Sequence, residues 1–237
     1  MNRLNPFLVA LLVAIGSQAL CAQEGQHPPH HVFALGDFSL ESGAVLGDAT
    51  IMYATHGQLN VDGSNAILVP SYYLGSHHGY DYLIGPGRAL DPAEHFVIVA
   101  EMFGSGRSSS PSNMPPPQSQ ADFPAVTIRD NVEAMYHLVT DGLGIRHLKA
   151  IVGHSMGAEQ GLQWAVSHPD FMDLVVAISG TGKTYPHEVL RLESALSLIT
   201  LDSSILAGND TLSSSGKATW AYHWWAWLRS PEYWRQG

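Results

Sequence analysis

The pentapeptide Gly153-His154-Ser155-Met156-Gly157 is the feature that most narrows what this chain can fold into. It follows a continuous apolar run, Leu148 to Gly153, and opens a segment from Met156 to Ser167 that reads as a helix. A serine set between two glycines at such a junction predicts a sharp strand-to-helix turn, because side chains at 153 and 157 would collide there. Ser155 would then stand at the carboxyl end of a strand, where open α/β sheets bind ligands. It would also sit at a helix N-terminus, whose backbone N–H groups can stabilise an oxyanion. A G-x-S-x-G pattern is common by chance, and a structural serine in a glycine-rich turn is the plainer reading. The strand before it and the helix after it favour a nucleophile, a role for which a serine hydroxyl must be presented to a base. One oxyanion donor is expected to be the Met156 backbone N–H. The second is expected from the loop after the apolar run Ala66–Pro70, near Tyr73.

The rest of the chain supplies the sheet that such a turn requires. Val32 to Leu40 and Ala49 to Gln58 read as two antiparallel strands, with Gly43 and Gly47 punctuating the turn. Ala66–Pro70 is a continuous apolar run of the kind buried on both faces, and His95–Met102 is read as the next buried strand. Thr127 with Asp130 three residues later signals a helix start, and Ile128, Val132, Met135, Val139 and Leu143 recur at helical spacing up to Gly142 and Gly144. Asp173 to Ser179 is a further strand. Two leading strands followed by alternating strands and helices predict an α/β fold with a mostly parallel sheet covered on both faces. The Ser/Pro-rich stretch 104–124 lacks such signals, and its length marks it as functional or mobile. From Tyr185 the alternation stops. Leu192, Leu196 and Ile199 suggest a helix, and Trp220, Trp224, Trp225, Trp227 and Trp234 crowd the end, as in a helical cap packed by aromatics.

Composition limits the function classes. The 237 residues are 45% hydrophobic and 14% charged, enough for one cored domain and unlike a disordered chain. A formal net charge of -10 argues against nucleic-acid binding and against electrostatic attachment to anionic lipid. Arg3 followed by a mostly apolar Pro6 to Leu20, then small residues and a polar turn at Gln23, reads as an export signal over 1–22 cleaved after Ala22. The run is shorter than the roughly 20 residues a membrane span needs, so no membrane association is expected after cleavage. The single cysteine, Cys21, falls inside that signal, which excludes disulfides and thiol chemistry from the mature chain. The organisation expected is a signal at 1–22, a flexible segment at 23–31, a core at 32–184 and a cap from 185 to 237.

Other side chains carry weaker signals. His154 precedes the nucleophile in the turn, so its side chain should point away and line the pocket. His77 and His78 fit the pocket mouth or plain solvent exposure. His27, His30 and His31 lack a nearby carboxylate or a metal-ligand spacing, so no metal is expected, and no cofactor. Asn209-Asp210-Thr211 is a glycosylation sequon, usable only in a eukaryotic secretory route.

Longer motifs add a family resemblance. Leu59-Asn60 with Asn65 to Pro70, LIGPGRALDP at 83–92, SSSPSN at 108–113, FPAVTIRDNV at 123–132 and GHSMGAEQ at 153–160 resemble the homoserine O-acetyltransferase family of α/β-hydrolases. The likeness covers nearly everything after residue 32 and is closer to that family's esterase branch. It implies the α/β-hydrolase fold, a serine nucleophile, and a small-molecule ester or acyl donor as substrate. The true acetyltransferases have a glycine-rich elbow where this chain has His154, Ala158 and Glu159, and EMFGSGRS at 101–108 also resembles the esterases. Homoserine recognition is therefore not carried over. Hydrolysis of a small ester is the first expectation and O-acyl transfer the second, since export disfavours an intracellular coenzyme A donor. The resemblance also implies an aspartate and a histidine on strands after the cap. After Ser155 the histidines are His168, at the end of the elbow helix, and His187 and His223, in the cap. No credible acid and base are read among them. The expectation is an incomplete fold ending in a helical cap, either a fragment of an acyl-transfer enzyme or an inactive relative serving as a binding module.

Overall fold

The computed structural model describes residues 29–209 and 211–236. The export signal, His27 and Asp210 of the sequon lie outside them. Six strands form one sheet in the order β1-β2-β4-β3-β5-β6. They are β1 (His30–Ser39), β2 (Val45–His56), β3 (Ala66–Pro70), β4 (Phe96–Ala100), β5 (Ala150–His154) and β6 (Val175–Ile178). β1 and β2 are antiparallel, and β2 is antiparallel to β4. β4, β3, β5 and β6 run parallel, with β6 at the sheet edge. The sheet begins two residues earlier than the sequence suggests: His30 and His31 pair with Ala54 and Tyr53 and do not belong to a flexible leader. Gly47 lies within β2, so Gly43 alone marks the β1–β2 turn.

Alternate residues of each inner strand feed two cores, as the period-2 geometry of a strand requires. Ala66, Leu68, Ile98, Ala100 and Ile151 face the larger core with Val132, Met135, Leu138 and Trp164. Those come from α1 (Ile128–His137), its π-helical extension Leu138–Gly142, and α2 (Met156–Ser167). α1 starts at a full capping box: Thr127 Oγ1 accepts from the Asp130 N–H, and the Asp130 carboxylate accepts from the Thr127 N–H. Ile67, Val69, Val97, Val99, Ala150 and Val152 face the other core, which among the described residues is closed by Tyr80, Ile84 and Leu90 of the turn-rich segment after β3.

Part of the serine-rich stretch after β4 is anchored to the sheet. Ser108, Ser109 and Ser110 are buried. Ser108 Oγ and Ser109 Oγ accept from the backbone N–H groups of Met52 and Thr50 on β2, at 3.0 and 2.9 Å. Two consecutive hydroxyls thus do the work of a strand edge, a role that neither periodicity nor turn chemistry announces, while Ser110 Oγ donates to the Ser108 carbonyl within the loop. Past β6 come α3 (Pro186–Thr200), the short α4 (Ser203–Leu206), α5 (Ser214–Leu228) and α6 (Pro231–Arg235), with α3 packed on α5. No helix of the described residues is long and apolar enough to cross a membrane.

Candidate active site

Ser155 occupies the turn between β5 and α2 with φ 54 and ψ −125. A non-glycine residue in such a region costs on the order of 1–3 kcal/mol and persists only where its surroundings over-determine it. Here they do. The Ser155 N–H donates to the Ile178 carbonyl of β6 at 2.8 Å. The His154 N–H donates to Tyr80 Oη at 2.9 Å, and that hydroxyl donates to the Pro70 carbonyl at 2.9 Å. Tyr80 is fully buried, and desolvation raises its phenol well above the usual range, so it stays a neutral donor. It ties the turn to the end of β3, a role that the sequence did not signal.

The two glycines fulfil the steric expectation. A Cβ on Gly153 would overlap the Gly157 carbonyl group and stand 2.6 Å from the Ala158 nitrogen. A Cβ on Gly157 would stand 2.6 Å from both the Pro70 carbonyl oxygen and Tyr80 Oη. The elbow therefore sits directly against the chain leaving β3. Gln160, buried one turn into α2, reinforces this contact by donating to the Ser71 carbonyl at 2.8 Å. Ser71 Oγ accepts in turn from the Met102 N–H at 3.0 Å, linking the ends of β3 and β4.

The loop that starts at Ser71 carries Tyr73. Neither the Tyr73 nor the Met156 backbone N–H meets an acceptor among the described residues. The Tyr73 ring lies 5.5 Å from that of Trp224 on α5, and the Arg191 guanidinium of α3 lies 5.0 Å from the same indole. Burial raises the Tyr73 phenol, and the nearby Arg191 charge lowers it in part. Trp224, the buried member of the tryptophan cluster, thus brings the cap onto this loop, while Trp225 and Trp234 are exposed. His154 is half-buried, its ring edge-on to Tyr72 at 5.4 Å. Glu159, one turn past Ser155, is raised by burial and by Glu188, against the Thr181 amide. Two surface clefts, one lined by Tyr136, Arg146 and Phe171 and one by Phe33, Asp37 and Glu133, include no elbow residue.

The histidines divide differently from the sequence expectation. His77 is buried and does not face solvent: its Nδ1 lies 2.5 Å from Glu101 Oε1. His168 stacks on Tyr136 and bonds Glu133, away from the turn. His187 and His223 both pack against Trp227. Among the described residues no histidine nitrogen hydrogen-bonds Ser155 Oγ, and none of the carboxylates paired with histidine lies behind such a base.

Comparison with known proteins agrees with this geometry. A sequence profile of the alpha/beta hydrolase fold matches residues 66–213, from β3 through the elbow into the cap. The chain is similar to an ethyl acetate hydrolase of Pseudomonas veronii, 39% identical over 218 residues, covering 90% of this chain and 62% of that protein. It is also similar to a homoserine O-acetyltransferase of Nautilia profundicola, 40% identical over 187 residues, covering 72% of this chain and 50% of the relative. Among solved structures, an acetylester hydrolase from Corynebacterium glutamicum superposes with a TM-score of 0.82 at 36% identity, covering 88% of this chain and 61% of that one. The chain thus spans less than two thirds of these relatives' length. With the strained serine turn, the β3 contact and the profile match in register, the chain belongs to the alpha/beta hydrolase fold family.

Proposed function

We propose that Ser155 is the nucleophile of an acyl-transfer reaction on small esters, with hydrolysis as the principal outcome and transfer to a second hydroxyl as the variant. The observation that carries this reading is the strained Ser155 backbone at the β5–α2 turn, packed against the chain leaving β3. Relatives named as an ethyl acetate hydrolase and an acetylester hydrolase favour a short acyl group. In the first half-reaction Ser155 Oγ bonds to the ester carbonyl carbon while its proton passes to a general base. The carbonyl oxygen takes the negative charge, stabilised by the Met156 and Tyr73 N–H groups. The C–O bond to the alcohol then breaks, and the alcohol leaves with a proton from the protonated base. Water, or another hydroxyl, repeats the sequence on the acyl-serine and releases an acid or a new ester.

A serine-directed fluorophosphonate, with imidazole added as an external base, tests this assignment. Label should map to the peptide holding Ser155 and disappear in Ser155→Ala. Undiminished labelling of that variant would show that another residue is the nucleophile.

We also propose that the protein is exported, on the basis of Arg3 and the apolar stretch to Leu20. N-terminal sequencing of the exported fraction should begin at Gln23. A protein retained in the cytoplasm and starting at Met1 would overturn this.

A further inference from the structure

The loop that presents Tyr73 is held by a buried Glu101–His77 hydrogen-bonded pair that the reaction itself does not use. Glu101 directly follows β4 and is fixed there, its N–H donating to the Met52 carbonyl and its carbonyl accepting from Ser108 Oγ. Its side chain is 1% exposed and that of His77 is 2% exposed. Glu101 Oε1 accepts from both the His77 backbone N–H, at 3.1 Å, and the His77 ring, at 2.5 Å. Arg107 Nη1 stands 3.5 Å from the same oxygen. Burial alone would raise the Glu101 carboxyl, but the His77 bonds outweigh it and hold the group below its ordinary value, so it remains ionised.

This clamp grips the loop at one end, and Ser71 grips the other through Gln160 and Met102. Between them Leu74, the residue after Tyr73, is held at φ 61, although it is three-quarters exposed and has little packing to keep it there. A left-handed leucine relaxes when its anchors loosen. Rotation at Leu74 would swing the adjoining Tyr73 peptide.

Resting on the reading of Tyr73 as an oxyanion donor, we propose that Glu101 is a positioning residue: through His77 it holds the 71–77 loop in the strained form that aims the Tyr73 N–H at the substrate oxyanion. The donor stabilises charge that develops only in the transition state, so loosening it should lower kcat and spare KM. Removing one oxyanion donor costs about 10²–10³-fold in kcat. A misplaced donor should cost part of that, about 10- to 100-fold for Glu101→Ala with KM within about threefold. Glu101→Gln keeps the volume and an acceptor oxygen but loses the charge that roughly doubles such a bond, so its loss should be intermediate, about threefold.

The experiment is p-nitrophenyl acetate hydrolysis by wild type, Glu101→Gln, Glu101→Ala and Ser155→Ala, with rates normalised to fluorophosphonate-titrated sites. Amide exchange over residues 72–77 is measured in parallel. The expected result is a graded fall in kcat together with faster exchange in that loop and unchanged exchange in β4. A purely structural role would lower the melting temperature and the titrated fraction but leave kcat per site and loop exchange as in wild type, and would overturn the inference. Should Glu101→Ala fail to fold, wild-type kcat and loop exchange in Glu101→Gln overturn it alone. Activity surviving in Ser155→Ala would instead sink the nucleophile assignment, and Ser155-dependent activity indifferent to both Glu101 variants would sink only the clamp.

Discussion

Gly153→Ala is expected to abolish fluorophosphonate labelling of Ser155 and to destabilise the domain more than any single side-chain truncation at its surface. The added methyl has no flexible neighbour to displace. It meets the Gly157 carbonyl group and the Ala158 nitrogen, which are backbone atoms in the first turn of α2. Relief requires α2 to move away from β5. That movement would disturb Trp164, the largest fully buried side chain, and would break the Gln160 bond to Ser71. Overpacking a core costs about 1–3 kcal/mol where side chains can yield, and a backbone obstacle should exceed the upper end, about 3 kcal/mol. Even a folded variant would carry Ser155 out of register, and a shift of about 1 Å can cost 10²-fold in rate. Thermal unfolding followed by circular dichroism, with labelling on the same samples, checks both parts. A variant that melts with wild type and labels at the wild-type rate would show that the elbow is not packed as described.

The parts of this molecule that were legible in the sequence are those governed by local rules. β3 is legible because Ala66–Pro70 is apolar throughout, too short for a helix, and bounded by polar Asn65 and Ser71. The start of α1 was legible because Thr127 and Asp130 form a capping box at fixed spacing. Gly153 and Gly157 were assigned by sterics, and the structure places backbone where their side chains would be. What stayed hidden depends on residues far apart in sequence. Tyr80 reaches the His154 N–H across 74 positions, and Glu101 reaches His77 across 24. Neither spacing is periodic, so nothing local distinguishes a buried clamp histidine from an exposed one. Ser108 and Ser109 read as loop for the same reason: their hydroxyls satisfy β2, and the partner strand is not visible from the serines themselves.

The described chain is expected to turn over esters slowly, and added imidazole is expected to accelerate it through Ser155. Ser155 Oγ has no histidine hydrogen-bonded to it among the described residues. Without a base the hydroxyl stays protonated at neutral pH. General-base assistance is typically worth about 10²–10⁴-fold, and an oxyanion hole with binding alone still leaves about 10³–10⁴-fold over water. A weak, Ser155-dependent rate should therefore remain, and free imidazole should raise it by at least about tenfold as a partial substitute for the missing base. Because only neutral imidazole accepts the proton, the gain should grow with pH as its cation is lost. Ser155→Ala measured at each imidazole concentration removes the buffer's own hydrolysis. Acceleration equal in both proteins would show that Ser155 takes no part. Fast Ser155-dependent turnover untouched by imidazole would mean a base is already in place, and the cap would be where to find it: His223 keeps a buried Nε2 without a partner, beside the Trp224 that packs on Tyr73.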